Sequence, residues 1–78
     1  MDDRAVPGYR FLVTNPDRFG GKVTIRGTRF SASFILGCLA EGMSYDDIVR
    51  EYSEFPPESI PEVLRFAAEV TDRRDVAA

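Results

Sequence analysis

The stretch GGKVTIRGTRFSAS, residues 20–33, contains the point at which the chain changes from strand to helix. Before it, alternating β-branched residues indicate strands, and after Ser31 the apolar residues follow a helical period. The stretch is also basic, because Lys22, Arg26 and Arg29 occur in it with no carboxylate between them. The chain as a whole is acidic, with a formal net charge of −3. The role of this basic stretch is therefore the central question about function.

Residues 9–30 are predicted to form short strands. Residues 9–14 alternate and are rich in aromatic and β-branched side chains, and residues 22–25 form a second strand after a turn and two glycines. Gly27 then bends the chain before residues 28–30. Strands this short are not stable alone, so they must lie on the helices or pair with strands of another copy.

Side chains are expected to alternate along the second strand. Lys22, Thr24 and Arg26 alternate with Val23 and Ile25. Because successive side chains of a strand point to opposite faces, we expect the first three on one face, exposed to solvent.

Three helices are predicted over residues 31–71. The first is apolar almost all round, so we expect it to be deeply buried. Ser31 or Ser33 is expected to cap its start, and Gly42 to end it. The chain is therefore predicted to be a single domain, residues 1–78, with short strands over 9–30, three helices over 31–71 and a frayed tail over 72–78.

The second and third helices have predicted N-terminal caps. Residues 44–47 come close to a capping box, and Ser59 is the predicted cap of the third helix, in a capping box with Glu62. Five side chains of the third helix are expected to face the core: Ile60, Val63, Leu64, Ala67 and Val70.

The composition argues against several classes of function. There is no histidine and the single cysteine is Cys38, so we expect no metal site, no cofactor and no disulfide framework. Without a histidine base or an activated nucleophile, we expect no enzyme activity and no small-molecule substrate. We also expect no signal peptide and no membrane span, hence a cytoplasmic protein. Because so short a chain supplies only about 3–5 kcal/mol of core stability, we expect a homodimer.

Charge is distributed unevenly along the chain. Residues 1–30 hold six Lys or Arg against three Asp, whereas residues 31–78 hold four Arg against ten Asp or Glu. This polarity permits head-to-tail association or contact with an anionic partner. The alternative is that the mixed charges serve only to keep a small domain in solution.

Three segments together resemble a known family. They are GKVTIRGTR, ILGCLAEGMSYDDIVREY and the run from Phe55 to Glu69, and the resemblance covers roughly residues 9–70. The chain resembles the family called domain of unknown function 433, whose members are often described as VapB-like antitoxins. The segment GKVTIRGTR is the most specific part of the resemblance.

The resemblance implies a mainly α (α+β) fold. In this fold, short N-terminal strands precede a three-helix, homeodomain-like helix-turn-helix bundle that tends to dimerise. Many members lie beside a PIN-like nuclease gene, which implies a toxin–antitoxin pair. The antitoxin of such a pair binds its toxin and double-stranded DNA at the shared promoter.

The third helix carries few side chains that could read bases. Its N-terminal end holds prolines and two glutamates, and Arg65 is its only cation before Arg73. We therefore expect DNA contacts mainly from the basic stretch. Toxin contacts are expected from the helical face or from the tail with Arg73 and Arg74. The predicted DNA-binding residues are Lys22, Thr24, Arg26, Thr28, Arg29 and Arg65.

Three interpretations of the basic stretch stay open. In the first, its cations contact DNA phosphates. In the second, they dock against acidic residues of the helices, within one chain or across a dimer; the candidates are Asp46, Asp47, Glu51 and Glu54. In the third, they stabilise the glycine bends, with Arg29 bonded to carbonyl groups of the loop.

Two functions follow from these alternatives. The first is an antitoxin-type regulator, a dimeric helix-turn-helix protein that binds its own promoter DNA and a PIN-like toxin. The second is a protein-interaction module that dimerises and binds or inhibits a partner protein without binding DNA.

Overall fold

Three short strands precede three helices in the part of the chain that the structure, a computed structural model, describes: residues 3–17, 19–54 and 56–74. The strands are β1 (Arg4–Ala5), β2 (Leu12–Thr14) and β3 (Thr24–Ile25). The helices are α1 (Ala32–Ala40), α2 (Tyr45–Glu51) and α3 (Ser59–Arg74). The predicted mixture of a small sheet and three helices is confirmed. Positions 75–78 of the predicted tail lie outside the described residues, and α3 itself continues to Arg74.

The strands form one antiparallel sheet in the order β1-β2-β3. Val13 of the central strand pairs with Ala5 on one side and with Thr24 on the other. Leu12 and Val13 are both fully buried, and adjacent strand residues point to opposite faces, so both faces of β2 are covered. The sequence did not indicate β1, because its two residues carry no alternating pattern.

The expected exposure of Thr24 is wrong, although Lys22 and Arg26 on either side of it are exposed as expected. Thr24 and Ile25 are both buried, and Thr24 is only 2% exposed. The Thr24 hydroxyl donates a hydrogen bond to the Val13 carbonyl at 3.4 Å. Thr24 also forms an isolated antiparallel bridge with Ser31, so the free edge of this short strand is covered where the chain turns back toward α1.

The hydrophobic core lies between the sheet and the three helices. Helix α1 packs against both α2 and α3, and α3 also packs against β2. Strand β2 and helix α3, which are far apart in the sequence, therefore contribute to one core. Its buried members are Leu12, Ile25, Ala32, Ile35, Cys38, Ile48, Ile60 and Val63.

Helix α1 is not buried all round as its composition suggested. Ala32, Ile35 and Cys38 face the core, whereas Phe34 is 38% exposed. Ser33, Gly37 and Ala40 are exposed as well. Helix α1 packs against α2 and α3, and its remaining side, which includes the Phe34 ring, faces solvent.

The predicted ends of α1 and the start of α2 are confirmed. Ser31 is the N-cap of α1, and its hydroxyl accepts a hydrogen bond from the Phe34 amide at 3.0 Å. At the other end, Gly42 has φ 98°, and the amides of Gly42 and Met43 donate to the carbonyls of Leu39 and Cys38. This pair of bonds is a Schellman motif, which explains glycine at this position.

Helix α2 begins in a complete capping box. The Ser44 hydroxyl accepts from the Asp47 amide at 3.0 Å, and the Asp47 carboxylate accepts from the Ser44 amide at 3.1 Å. These hydrogen bonds with Ser44, reinforced by the nearby Arg50 guanidinium, hold the pKa of Asp47 below its usual value.

The predicted capping box at the start of α3 is wrong. The Ser59 hydroxyl donates to the Pro56 carbonyl at 2.6 Å, and the Ser59 amide donates to the same carbonyl. The Glu62 carboxylate is used elsewhere, because its two oxygens accept from the amides of Arg10 and Phe11 at 2.9 and 2.8 Å. Leu64 also departs from expectation: it is 48% exposed, whereas Ile60 and Val63 are buried as predicted.

The segment of residues 8–11, here called the N-terminal strap, is held against α3 by side chains. Besides the two bonds to Glu62, the Tyr9 hydroxyl donates to Glu69, and the Arg65 guanidinium lies 4.3 Å from the centre of the Tyr9 ring. Desolvation and the hydrogen bond to Glu69 raise the pKa of Tyr9, while Arg65 acts in the opposite direction. The Tyr9 ring also meets Phe66 edge to face at 5.7 Å.

Candidate nucleic-acid interface

Residues 22–31, here called the basic loop, are closed by backbone hydrogen bonds. The Ile25 amide donates to the Phe30 carbonyl at 2.9 Å, and the Ala32 amide donates to the Val23 carbonyl at 2.8 Å. The chain therefore leaves the sheet at Ile25 and returns beside itself before entering α1. Residues 26–29 form the tip of this loop.

The tip is fixed by Thr28 and Gly27. The Thr28 amide donates to the Ile25 carbonyl at 3.0 Å, and Gly27 has φ 77°, as at the third position of a type II turn. The Thr28 hydroxyl donates to the Ile25 carbonyl at 2.9 Å and accepts from the Phe30 amide at 3.0 Å. Thr28 therefore holds the two sides of the loop together.

Three cations of the basic loop are exposed: Lys22, Arg26 and Arg29. Over the ranges that the structure describes, none of them forms an ion pair with a carboxylate. An ion pair in these ranges joins Arg50 to Asp47 at 2.6 Å. The expected docking of these cations on the acidic helices is therefore not observed within one chain.

One arginine does support the loop, but it is not the expected one. The Nε of Arg26 donates to the Arg10 carbonyl at 3.0 Å, and the Arg26 amide donates to the Phe11 carbonyl at 2.7 Å. These two bonds hold Arg26 against the backbone of residues 10 and 11. The described contacts include no bond from Arg29 to a loop carbonyl. Arg18, which precedes the basic stretch in the sequence, lies outside the described residues.

Lys22 and Arg29 share a recess with two aromatic rings. The recess has a volume of ≈ 470 Å³ and is lined by Lys22, Arg29, Phe30, Ser31 and Phe34. The rings of Phe30 and Phe34 are stacked, with 5.4 Å between their centres and 17° between their planes. Tyr52, the residue that follows α2, packs edge to face on both rings.

A second, more apolar groove lies on the other side of Lys22. It has a volume of ≈ 460 Å³ and runs between the start of β3, α1 and α3. Its lining is mainly apolar and includes Val23, Leu36, Phe66, Ala67 and Val70. Lys22 thus borders two concave surfaces.

Three predicted DNA-binding residues are placed differently from the cations of the loop. Thr24 and Thr28 are buried and their hydroxyls are satisfied within the protein, so they are not available to a ligand. Arg65 lies on α3 against the strap, where its guanidinium donates to the Gly8 carbonyl and covers the Tyr9 ring. The structure therefore places Lys22, Arg26 and Arg29 in the basic loop, whereas the Arg65 guanidinium is used to hold the strap.

The start of α3 offers no cation to a nucleic acid. Pro57, Glu58 and Pro61 are exposed there, and the carboxylate of Glu62 holds the N-terminal strap. Arg73 and Arg74, the predicted toxin contacts, form the last turn of α3, and their side chains lie outside the described residues.

Sequence reasoning missed Phe34 and Glu62 as residues of interest. Phe34 belongs to an apolar run, and nothing in the run distinguishes the exposed ring from the buried ones. Glu62 occupies the fourth position of an apparent capping box, so its long-range role had no local sequence signal.

Two kinds of site are not observed in the described ranges. No group of three or more His, Cys, Asp or Glu side chains among these residues could hold a metal ion. Within the same limits, no helix has both the length and the apolar content needed to cross a membrane.

Comparison with known proteins places the chain in one family. No curated protein and no solved structure matches it. A family model described as "Protein of unknown function (DUF433)" matches residues 12–67, which run from β2 through most of α3 and contain the whole basic loop. The chain therefore belongs to the DUF433 family.

Proposed function

We propose that this protein is a dimeric, antitoxin-type regulator that binds double-stranded promoter DNA through its basic loop. The observation that supports the proposal is the exposure of Lys22, Arg26 and Arg29 with no carboxylate partner among the described residues of an acidic chain. Cations that are not neutralised by the protein itself are available to phosphate groups, whose neutralisation releases counterions. The homeodomain-like helix-turn-helix arrangement and the PIN-like toxin remain part of this proposal through the family resemblance.

The mode of binding follows from the position of the cations. Because the N-terminal end of α3 presents prolines and Glu58, we propose that the basic loop, and not this helix, contacts DNA. Phosphate contacts fix the position of a protein on the duplex but do not themselves specify sequence. A dimer would use two basic loops, one from each copy.

The test is a fluorescence-anisotropy titration of the protein with its own upstream DNA and with a scrambled duplex. If three cations from each of two copies meet phosphates, log K falls with log[salt] at a slope near −5, whereas one copy gives about −3. Between about 50 and 200 mM salt, the dimer would lose roughly 10³-fold in affinity. A preference for the upstream sequence over the scrambled one supports regulation of the promoter.

Arg26→Ala should weaken binding and reduce the steepness of the salt slope by about 2 in a dimer. Arg50→Ala is the matched control, because it removes the same charge from an exposed arginine of α2, away from the loop. Equal effects of the two substitutions would show that only net charge matters. Flat titrations at both salt concentrations would refute DNA binding.

A second candidate is a protein-interaction module that does not bind DNA. The apolar groove between β3, α1 and α3 supports it, together with exposed carboxylates at Glu41, Asp46, Glu51 and Glu54. Co-expression with the product of an adjacent PIN-like nuclease gene tests the toxin part of either candidate. Arg73→Ala with Arg74→Ala should then weaken co-purification, and unchanged recovery would remove these two residues from the proposed toxin contact.

A further inference from the structure

The recess beside the basic loop combines two features that duplex binding does not require together. Lys22 and Arg29 supply positive charge, and Phe30 and Phe34 supply flat apolar surface. Phosphates of a duplex need only the cations, because its bases are paired and stacked inside the helix. An aromatic ring within the same recess is of use to a ligand that carries both an anion and an exposed flat ring.

The Phe34 ring is held in place and still accessible. It is 38% exposed, although it stacks on Phe30 and meets Tyr52 edge to face at 5.2 Å. Its backbone is fixed as well, since the Phe34 amide donates to the N-cap Ser31 in the first turn of α1. The ring therefore loses little conformational freedom on contact with a ligand, in contrast to an aromatic side chain on a mobile loop.

The charges select the class of ligand. Lys22 and Arg29 are exposed and form no ion pair with a carboxylate in the described ranges, so an anion can approach both. Single-stranded nucleic acids present phosphates beside unpaired bases, and proteins bind them with cations that follow the backbone and with aromatic rings on which bases stack. The composition of this recess matches that chemistry.

We propose that this recess binds one unpaired nucleotide of a single strand, with the base against Phe34 and its phosphate between Lys22 and Arg29. The inference rests in part on the proposed function, because the two sites share Lys22 and Arg29, but it names a different form of nucleic acid. Stacking on a single aromatic ring contributes roughly 5- to 150-fold in affinity per base. The contribution requires a base and not merely a charged backbone.

The experiment compares oligonucleotides that carry equal charge with and without bases. Oligothymidylate of about 12 nucleotides, a length within the usual site sizes, is titrated beside an abasic strand of the same number of phosphates. We expect the wild-type protein to bind the thymidylate roughly 5- to 150-fold more tightly than the abasic strand. An oligouridylate of the same length distinguishes an RNA ligand from a DNA ligand.

Phe34→Leu is the decisive variant, because leucine keeps apolar bulk against Phe30 and Tyr52 but offers no ring. It should abolish the preference for bases and leave the affinity for the abasic strand unchanged. Arg29→Ala should weaken both complexes and keep their ratio. Tyr45→Leu is the matched control, since Tyr45 is 42% exposed on α2 and lies outside the recess. Circular dichroism of each variant confirms that it is folded before titration.

The outcomes separate this inference from the proposed function. Equal binding of thymidylate and abasic strand by the wild type, or a preference for bases that survives in folded Phe34→Leu, overturns the recess proposal even if the promoter duplex binds. Base-dependent binding of single strands without duplex binding supports the recess and overturns the promoter function. Failure of both the single strands and the promoter duplex to bind overturns both proposals.

Discussion

Replacing Thr28 by valine should destabilise the protein without changing its charge. Valine has nearly the shape of threonine but lacks the hydroxyl, which makes hydrogen bonds of 2.9 Å to the Ile25 carbonyl and 3.0 Å to the Phe30 amide. Two such bonds at about 0.5–1.5 kcal/mol each give a loss of about 1–3 kcal/mol. The loss is expected in full, because Thr28 is only 7% exposed and water does not easily replace its hydroxyl.

This loss is large for a domain of 78 residues. If the whole domain is stabilised by about 3–5 kcal/mol, a large fraction of that stability depends on one side chain. A loss of 2 kcal/mol lowers Tm by about 8–16 °C at this size. Urea and thermal unfolding followed by far-ultraviolet circular dichroism measure both quantities.

Two further threonine-to-valine substitutions act as graded controls. Thr24 is also buried but makes one long hydrogen bond, 3.4 Å to the Val13 carbonyl, so Thr24→Val should cost less than Thr28→Val. Thr14 is half-buried in β2, and no side-chain hydrogen bond of Thr14 occurs in the described part of the chain, so Thr14→Val should be close to neutral. If Thr28→Val costs no more than Thr14→Val, Thr28 does not hold the basic loop together.

Three other predictions concern the N-terminal strap and helices α1 and α2. Glu62→Gln leaves one acceptor oxygen for two strap amides, so the free energy of unfolding should fall by about 1–3 kcal/mol. The amide hydrogen of Phe11 should also exchange faster with solvent, and an unchanged exchange rate would contradict this. Gly37→Ala should raise the free energy of unfolding by about 0.5–1 kcal/mol, because this glycine is exposed, helical and has open space around it. Gly42→Ala should lower it by about 1–2 kcal/mol, because Gly42 has φ 98°. Changes of the same sign in urea unfolding of the two variants would refute the argument. The pKa of Asp47 is lowered in the folded protein, so the stabilisation from its carboxylate is present above the usual pKa of 3.8 and is lost as pH falls through the folded pKa. The loss of stability caused by Asp47→Ala, measured as a urea midpoint, should therefore shrink in acid; a constant loss would contradict this.

Local features of the fold were predictable because the residues that determine them are adjacent in sequence. Ser31, Gly42 and the capping box of Ser44 and Asp47 all act within one or two helical turns, and each was identified from the sequence. The start of α3 was not, because the carboxylate of Glu62 binds amides 51 and 52 residues away. A capping-box pattern cannot reveal that its acidic residue has a distant partner.

The candidate interface could be predicted in part for a related reason. The charge of Lys22, Arg26 and Arg29 favours the surface, since isolated cations are costly to bury. It does not distinguish an exposed arginine from one that supports a loop, and Arg26 is both, because it is exposed and its Nε donates to the Arg10 carbonyl. The burial of Thr24 and Thr28 depends on how the loop folds back, through the bridge from Thr24 to Ser31 and the hydrogen bonds of Thr28. Likewise, the exposure of Phe34 depends on where α2 and α3 pack on α1.

The N-terminal strap also bears on how the protein is made. Its contacts with α3 join residues separated by up to 60 positions, so a nascent chain that has emerged only as far as α2 has no partner for Tyr9 or for the amides of Arg10 and Phe11. During translation the first strands must therefore wait, unpaired with α3, until that helix leaves the ribosome. The segment around Tyr9 is thus open to proteases and chaperones until α3 has emerged.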